Sequence, residues 1–265
     1  MPFPNINPTA FTFMKIDVQW YGIAYAVGLL LGLMNAKIIT KKKNIFEGKV
    51  FDDIFIWIVL GTLIGGRIGY ALFYDFNYYL DNLMLIALDI RKGGMSFHGG
   101  LIGVICGCYF FCKRKKINFL RCMDVIACCA PIGIFFGRIT NFINSELWGK
   151  TTSMPWGVVF PNGGTLPRHP TQIYEALLEG LILFLIINFI YRRKFKMPGY
   201  CASLFLIIYG IFRVLIEFVR EPDDHIGYIF GNFITNGILL SFPMIIIGLL
   251  IFLKVDDKNR SILKK

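Results

Sequence analysis

Residues 233–253 read FITNGILLSFPMIIIGLLIFL, a run without one charged side chain. A helix of about 20 apolar residues is needed to cross the hydrocarbon core of a bilayer, so this run predicts a transmembrane helix. Six further apolar stretches precede it, near residues 20–39, 52–74, 97–112, 119–136, 171–191 and 199–219. The pattern predicts an all-α polytopic membrane protein with seven transmembrane helices, in which residues 1–265 form a single domain.

The composition agrees with this fold class. Hydrophobic residues make up 55% of the 265-residue chain and charged residues only 17%. Charged residues are about 25% of an average soluble domain, so this chain has too few of them to solvate a globular surface. The composition therefore excludes a disordered chain, a small disulfide-stapled domain and a water-soluble enzyme.

Lysine and arginine are concentrated in alternate connections between the predicted helices. The cation-rich connections lie at residues 41–49, 113–121, 192–196 and 254–265. Because cytoplasmic loops hold the excess of lysine and arginine, this asymmetry predicts an N-terminus outside and a C-terminus in the cytoplasm. The net charge of +11 is therefore a topology signal, and no nucleic-acid partner is expected. The loops near 75–96 and 137–170 would form a small outward-facing head.

Glycines recur at every fourth position in three of the predicted helices. The repeats are Gly28 and Gly32, then Gly61, Gly65 and Gly69, then Gly99, Gly103 and Gly107. Glycine at this spacing lets helix backbones approach closely in lipid. The repeats therefore predict helix-packing seams, and not nucleotide-binding loops.

Residues 93–100 read GGMSFHGG and lie at the outer end of the third predicted helix. The amides of Gly99 and Gly100 are predicted at a helix N-terminus, where unpaired N–H groups favour anions. His98 titrates near neutral pH and is a candidate general base. The alternative is a turn that glycine makes easy, with His98 hydrogen-bonded to the backbone.

Residues 137–149 read GRITNFINSELWG and form the second polar motif. In a helix, Arg138 and Asn141 are i,i+3 neighbours, as are Asn141 and Asn144, so all three would line one face. A guanidinium beside two carboxamides suits a phosphate or a polar headgroup. The alternative is a helix-capping network that pairs Arg138 with Glu146.

A third motif places Tyr209, Arg213, Glu217 and Arg220 on one stripe of an otherwise apolar helix. Ionisable residues at membrane depth are costly, so they are candidates for function. Arg213 lies near mid-helix and is favoured as functional, whereas Glu217 is favoured as its partner in a buried pair.

The run 168–175, RHPTQIYE, is predicted to be mostly structural, with Gln172 and Tyr174 as site-wall candidates. Tyr21 fits either an aromatic belt at the membrane interface or the site.

Together these motifs predict a positively charged pocket near the outer face, suited to the phosphate of a lipid and containing one possible base. The chain has no HExxH, Walker or serine-elbow motif, and its seven cysteines form no CxxC pair. Neither a metal nor another cofactor is therefore expected.

At these residues the chain resembles the prolipoprotein diacylglyceryl transferases. The resemblance covers nearly the whole sequence, through Trp20-Tyr21-Gly22, the GGRIGY run from Gly65, and the motifs that begin at Gly93, Gly137, Arg168 and Tyr209. It implies seven helices with an outward head, in the bacterial cytoplasmic (inner) membrane, with the active site facing outward. The implied reaction moves an sn-1,2-diacylglyceryl group from phosphatidylglycerol to the lipobox cysteine of a preprolipoprotein signal peptide, and releases glycerol 1-phosphate.

The resemblance also implies roles for individual residues. Arg138 corresponds to the phosphatidylglycerol-binding arginine of the family and Arg213 to its second essential arginine. His98, Tyr21 and Arg213 are expected to be catalytic. Asn141, Gly99 and Gly100 are expected to bind phosphatidylglycerol together with Arg138. Four residues are expected to support the site: Glu146, Gly149, Tyr209 and Glu217.

The sequence departs from the family pattern at two positions, and the identity of the general base and two alternative functions stay open. Thr140 and Ser145 stand where many members of the family carry glycine, which puts the local backbone shape in doubt. The general base is His98 or an arginine-assisted alternative. A lipid or anion transporter would use the same pocket, and so would a lipid hydrolase in which water replaces the thiol.

Overall fold

The computed structural model describes residues 1–4, 6–14, 16–42, 46, 50–73, 76–82, 84–88, 95–194, 196–222 and 235–263. Within helices and strands, the side chains of residues 16, 73, 77, 81, 87, 88, 97, 98, 236 and 257–263 also lie outside the description. The chain divides into two compact units. The larger unit contains Met1–Ile39 and Met123–Lys265, and the smaller unit contains Thr40–Cys122. The prediction of a single domain stays a prediction.

The helices follow the order that the sequence predicts. The first elements are a hairpin of β1 (Thr9–Phe13) and β2 (Ile16–Gln19), followed by α1 (Trp20–Lys41). Next come α2 (Val50–Phe73), α3 (Phe76–Asp81), α4 (Leu85–Leu88), α5 (Phe97–Lys115) and α6 (Phe119–Ile143). The last elements are α7 (Thr171–Glu175), a π-helical turn (Ala176–Ile182), α8 (Leu183–Lys194), α9 (Tyr200–Glu217) and α10 (Asn236–Leu263). The hairpin is a small departure from the all-α prediction, because its alternating segments are too short to stand out beside the long apolar runs.

Six helical stretches in the described part of the chain are long and apolar enough to cross a membrane. They are Trp20–Lys41, Val50–Leu72, Phe119–Ile143, Thr171–Lys194, Tyr200–Glu217 and Gly237–Asp256. Only 11% of the last stretch is buried inside the protein, so most of its apolar surface is available to lipid. Six of the seven predicted spans are thereby confirmed in length and composition. The third forms helix α5, and its role as a span stays a prediction.

The smaller unit is built on close contact between α2 and α5. A Cβ atom added to Gly61 would lie 2.5 Å from the carbonyl oxygen of Gly103, and one added to Gly69 would lie 2.7 Å from the Cα of Gly99. We call Gly61, Gly65, Gly69, Gly99 and Gly103 the glycine seam. The seam confirms the packing that the four-residue glycine repeats predict in these two helices.

Arg67 on α2 connects the short helices of the smaller unit to the seam. Its guanidinium donates to the carbonyl oxygen of Ile86 at 2.6 Å and to the hydroxyl of Tyr79 at 2.8 Å. The residue is only 3% exposed, so these bonds compensate a buried charge.

In the larger unit, α1, α6 and α8 share a polar contact within their apolar packing. Asn188 donates to the carbonyl oxygen of Cys128 at 2.9 Å, and Asn35 donates to the same oxygen at 3.2 Å. Gly28 on α1 faces Gly133 on α6, with 3.0 Å between a Cβ built on Gly28 and the Cα of Gly133. These contacts fix the positions of the helices that carry the polar residues described below.

Residues 144–170, which connect α6 to α7, fold back on the end of α9. Isolated β-bridges pair Gly149 with Arg220 and Val158 with Arg168. Phe160 is fully buried and its ring lies 5.9 Å from that of Trp148. This segment belongs to the 137–170 loop for which a head is predicted, and the head and its outward orientation stay predictions.

Candidate active site

The larger unit contains a cluster of ionisable side chains contributed by helices that are otherwise apolar. We call this set the ion cluster. It consists of Arg138, Glu175, Glu179, Arg213, Glu217 and Arg220. Buried charges in membrane-spanning helices are costly and are retained for function or for a specific structure.

Glu175 on α7 is the centre of the ion cluster. Its Oε1 accepts a hydrogen bond from Nη1 of Arg213 at 2.6 Å, and its Oε2 lies 3.3 Å from Nη1 of Arg138. Nη1 of Arg220 is 3.9 Å from the same Oε1. The carboxylate is completely buried. One carboxylate therefore holds guanidinium groups from α6, from α9 and from the turn after α9.

Arg138 on α6 has further partners. Its Nη2 lies 3.5 Å from Oε2 of Glu179, which is on the π-helical turn that directly continues α7. The hydroxyl of Tyr209 on α9 interacts with the same guanidinium. Tyr209 is thus beside Arg138, and its expected supporting role stays a prediction.

Glu217 on α9 pairs with Arg213 at 2.8 Å, one turn earlier in the helix. Thr235 donates to Oε1 of Glu217 at 2.7 Å. A Cβ atom on Gly237 would lie 2.6 Å from the same carboxyl carbon. The buried pair of Arg213 and Glu217 that the sequence favours is confirmed, and Arg213 is held by two carboxylates at once.

The charge of the ion cluster corrects one expectation. The sequence predicts a positively charged pocket, but the cluster contains three arginines and three glutamates. The difference arises because Glu175 lies in the run 168–175, which is predicted to be mostly structural, and Glu179 lies one turn beyond that run. An anion that binds here competes with carboxylates for the arginines.

Arg138 and Arg213 keep some access to the outside of the fold. Their side chains are 18% and 11% exposed, whereas that of Glu175 is fully enclosed. Arginine N–H groups in this setting form strong, directed hydrogen bonds to phosphate oxygens. The arrangement can bind an anionic headgroup while the glutamates fix where the guanidinium groups point.

A second polar layer follows at the end of α6. Nδ2 of Asn141 donates to Oε1 of Glu146 at 2.7 Å, and Nδ2 of Asn144 lies 3.5 Å from the same oxygen. Gln172 on α7 donates to the backbone oxygen of Glu146. The alternative in which Arg138 pairs with Glu146 is wrong, because Arg138 binds Glu175 and Glu179 and the amide side chains bind Glu146.

Gly149 lies where the connecting segment meets the end of α9. A Cβ atom at this position would be 2.5 Å from the carbonyl oxygen of Val219 and 2.7 Å from the Cβ of His169. The amide of Gly149 donates to the carbonyl oxygen of His169 at 2.8 Å. Glycine is required here by close packing, which gives a physical reason for its expected supporting role.

His169 forms part of a polar chain beside this contact. The indole of Trp156 donates to the hydroxyl of Tyr174 at 2.6 Å, and that hydroxyl lies 3.2 Å from Nδ1 of His169. An indole N–H can only donate, so the tyrosine oxygen accepts this bond, and its own O–H can donate to Nδ1 of the tautomer that carries its proton on Nε2. Burial lowers the pKa of His169, in agreement with a neutral ring that accepts this bond.

Tyr21 lies at the start of α1, in the same unit as the ion cluster. Its ring is 5.2 Å from that of Tyr25, and Tyr25 interacts electrostatically with Arg138. The structure therefore brings Tyr21 near the cluster through one intervening aromatic side chain.

The GGMSFHGG motif belongs to the smaller unit. α5 begins at Phe97 with Ser96 as its N-cap, as expected for Gly99 and Gly100 at a helix N-terminus. The amide of Gly99 donates to Oγ of Ser96 at 3.3 Å, and that of Gly100 donates to the carbonyl oxygen of Ser96 at 2.9 Å. Both amides thus have acceptors within the chain. The side chain of His98 lies outside the described part of the structure.

Glu175 and Glu179 are members of the site that were not predicted from the sequence. Both are completely buried, and they stand four residues apart in an apolar stretch long enough to span a membrane. Intramembrane carboxylates at helical spacing are the signal that points to them. Among the described residues, no group of three or more histidine, cysteine or carboxylate side chains is arranged to hold a metal ion.

The chain is similar to known proteins over almost its full length. The family model described as prolipoprotein diacylglyceryl transferase matches residues 8–254. Three relatives carry the name phosphatidylglycerol--prolipoprotein diacylglyceryl transferase. That of Rhizobium meliloti is 46% identical and that of Sinorhizobium medicae 47% identical, each over 94% of this chain and 92% of the relative. That of Allorhizobium ampelinum is 42% identical over 98% of this chain and 94% of the relative.

Proposed function

The chain belongs to the prolipoprotein diacylglyceryl transferase family, and from that premise we propose how its residues carry out the reaction. It is a transferase of the first step of lipoprotein maturation, with phosphatidylglycerol as donor and a prolipoprotein as acceptor. The observation that carries this conclusion is the family match over residues 8–254. The ion cluster supplies the anion-binding groups that such a donor needs.

The proposed acceptor atom is the thiol sulfur of the lipobox cysteine in the preprolipoprotein signal peptide. The sulfur forms a bond to C3 of the donor's diacylglyceryl group while the bond from C3 to the phosphate oxygen breaks. Glycerol 1-phosphate leaves, and the thiol proton passes through a base to the released phosphate or to solvent. A free thiol has a pKa of about 8.5, so a base is needed for rapid reaction at neutral pH.

Arg138 and Arg213 are proposed to bind the donor phosphate. Negative charge grows on the phosphate oxygen as the bond to C3 breaks, and a pre-positioned guanidinium stabilises that charge. One such contact is commonly worth about 3 kcal/mol of transition-state stabilisation. Glu175 and Glu217 support this role, because carboxylates on either side of Arg213 prevent its side chain from turning away.

The remaining site residues keep the roles that the resemblance implies. Tyr21 and Asn141 would orient headgroup oxygens, and Gly99 and Gly100 keep the binding role that the resemblance implies. His98 is proposed as the base, with an arginine-assisted base as the alternative. Glu146, Gly149, Tyr209 and Glu217 would maintain the local structure around the arginines.

The enzyme is proposed to lie in the bacterial cytoplasmic membrane with its active site on the outer side. The proposed fold has seven spans, with α5 as the third, an outer N-terminus and a cytoplasmic C-terminus. The support is the alternation of cation-rich connections, which places residues 41–49 and 192–196 on the same side. The lipid donor would enter from the bilayer, and neither a cofactor nor a nucleic acid takes part.

A transfer assay tests the proposed function directly. Purified protein in detergent receives phosphatidylglycerol and a lipobox peptide, and mass spectrometry follows the peptide. We expect the peptide to gain the mass of one diacylglyceryl group on its cysteine, and a peptide with serine in that place to gain nothing. Release of diacylglycerol without a peptide adduct would indicate a lipid hydrolase. Movement of the donor across a vesicle membrane, without cleavage, would indicate a transporter.

A further inference from the structure

Glu179 lies on the π-helical turn, and the proposed reaction does not use it. Its side chain is 0% exposed, and its Oε2 has one contact with Arg138, at 3.5 Å. Its Oε1 has no hydrogen-bond partner among the described residues. An ionised carboxylate in a low-dielectric environment needs close partners, so Glu179 is the least compensated carboxylate of the ion cluster.

Several charged or titratable groups surround Glu179. Those that interact with it electrostatically, from α6, α7, α9 and the turn after α9, are Arg138, Glu175, Tyr209, Arg213 and Arg220. Glu175 has the closer contacts with the arginines, at 2.6 Å and 3.3 Å. Of the two carboxylates that contact Arg138, Glu179 at 3.5 Å is therefore the one that an incoming anion displaces more easily.

We propose that Glu179 is a positioning residue that holds Nη2 of Arg138 until the donor phosphodiester replaces it, and that Glu179 then binds a proton from solvent. This inference rests on the proposed function, since the displacing anion is the donor headgroup. In the unliganded cluster, three carboxylates balance three guanidinium groups. A bound phosphodiester adds one negative charge to a buried site, and a proton on Glu179 restores the balance.

Calorimetry with a short-chain phosphatidylglycerol tests this coupling without the acceptor peptide. The lipid is titrated into the detergent-solubilised protein in two buffers of different ionisation enthalpy, and the difference in heat gives the number of protons bound. We expect an uptake of about one proton in the wild type and near zero in Glu179→Gln, whose side chain cannot ionise. Glu221→Gln is the matched control, because Glu221 pairs with Arg168 at 3.0 Å but is 42% exposed.

The transfer assay supplies a second measurement. In the wild type the KM for phosphatidylglycerol should rise with pH, by at most about tenfold per pH unit for one linked proton. In Glu179→Gln the KM should be nearly independent of pH. Glu179→Asp, which keeps an ionisable group, should recover the dependence on pH.

Two results would overturn the inference: a wild-type protein that binds the donor without taking up a proton, or a Glu179→Gln variant that takes up as many protons as the wild type. Either result can accompany normal transfer to the peptide, in which case the proposed function still stands. Absence of transfer in the wild type would instead contradict the proposed function.

Discussion

The two units hold their helices together by opposite means. In the smaller unit, a Cβ atom on Gly61 would lie 2.5 Å from the carbonyl oxygen of Gly103, and the glycines of the seam offer no functional group. In the larger unit, a completely buried Glu175 joins three helical segments through arginines, with Arg213 at 2.6 Å. The glycine seam depends on shape alone, whereas the ion cluster depends on partners that a substrate anion can replace.

Because of this difference, we expect the glycine seam to contribute mainly to the stability of the fold and the ion cluster mainly to the transfer reaction. Backbone contact in lipid has no substitute once a side chain blocks it. A buried ion pair is a weaker source of net stability, because desolvation offsets much of its Coulomb energy. We therefore expect changes in the glycine seam to affect folding, and changes in the ion cluster to affect transfer.

The largest effect is expected for Gly61→Val. The added branched side chain would overlap the backbone of α5, which cannot give way as the end of a flexible side chain can. We expect loss of monodisperse protein in size-exclusion chromatography after detergent extraction. Gly133→Ala is the control, because nothing lies within 4 Å of a Cβ atom there. A Gly61→Val protein with wild-type yield and unfolding temperature would show that the seam is not a folding requirement.

Arg138→Ala tests the ion cluster, where a substitution is expected to reduce transfer activity. The variant loses one phosphate-binding guanidinium, and kcat/KM for phosphatidylglycerol should fall by about 100-fold or more. Arg138→Lys keeps the charge but not the two parallel N–H groups, so it should recover activity only in part. Lys115→Ala, which removes an exposed cation paired with Asp53 at 3.1 Å, should change little. Unchanged saturation by phosphatidylglycerol in Arg138→Ala would contradict the assigned role.

His98→Gln tests whether a residue outside the ion cluster takes part in the transfer reaction. His98 belongs to α5, the helix that also carries part of the glycine seam. If His98 is the base, kcat should fall by about 100-fold while donor binding persists. His169→Gln, the same substitution in the larger unit, should retain activity. Equal activity of His98→Gln and the wild type would favour the arginine-assisted base.

The sequence predicted the helices well because their signal is local. An apolar run of sufficient length identifies a span without knowledge of its neighbours, and six of the predicted spans are confirmed in this way. The hairpin at Thr9–Phe13 and Ile16–Gln19 was not predicted, since its alternation covers only a few residues in each strand. The family and the reaction class were also predicted correctly, because several polar motifs that occur in a fixed order along the chain can be recognised in a single sequence.

The partners within the site could not be predicted in the same way. Arg138 was paired in one alternative with Glu146, which is close in sequence, but its partners Glu175 and Glu179 come from another helix. Pairing across helices depends on which faces meet, and one sequence does not contain that information. The i,i+4 pair of Arg213 and Glu217 was predicted because both residues lie on one helix face.

Gly149→Ala should have a moderate effect on stability. At this position the larger unit, like the glycine seam, depends on close packing against backbone atoms. Its Cβ would meet the carbonyl oxygen of Val219 at 2.5 Å, and overpacking of this kind costs about 1–3 kcal/mol. We expect a lower unfolding temperature in a thermal melt followed by intrinsic fluorescence. Gly137→Ala, at the start of the same motif, has nothing within 4 Å of its Cβ and should be tolerated. Equal melts for the two variants would contradict the close packing.

The smallest effect distinguishes Thr140 and Ser145, the two positions where the resemblance leads us to expect glycine in many members of the family. Ser145 has a φ of 54°, a left-handed conformation that costs a non-glycine residue about 1 kcal/mol, and its buried hydroxyl has no partner among the described residues. Ser145→Gly should therefore stabilise the protein by roughly 0.5–1 kcal/mol.

Thr140 lies inside α6 and donates to the carbonyl oxygen of Phe136 at 3.0 Å, so Thr140→Gly should destabilise by about 1 kcal/mol. The two variants are compared with the wild type in thermal melts in the same detergent. Opposite shifts in the unfolding temperature would show that only Ser145 stands where the backbone itself favours glycine, and shifts in the same direction would contradict the backbone geometry at one of the two positions.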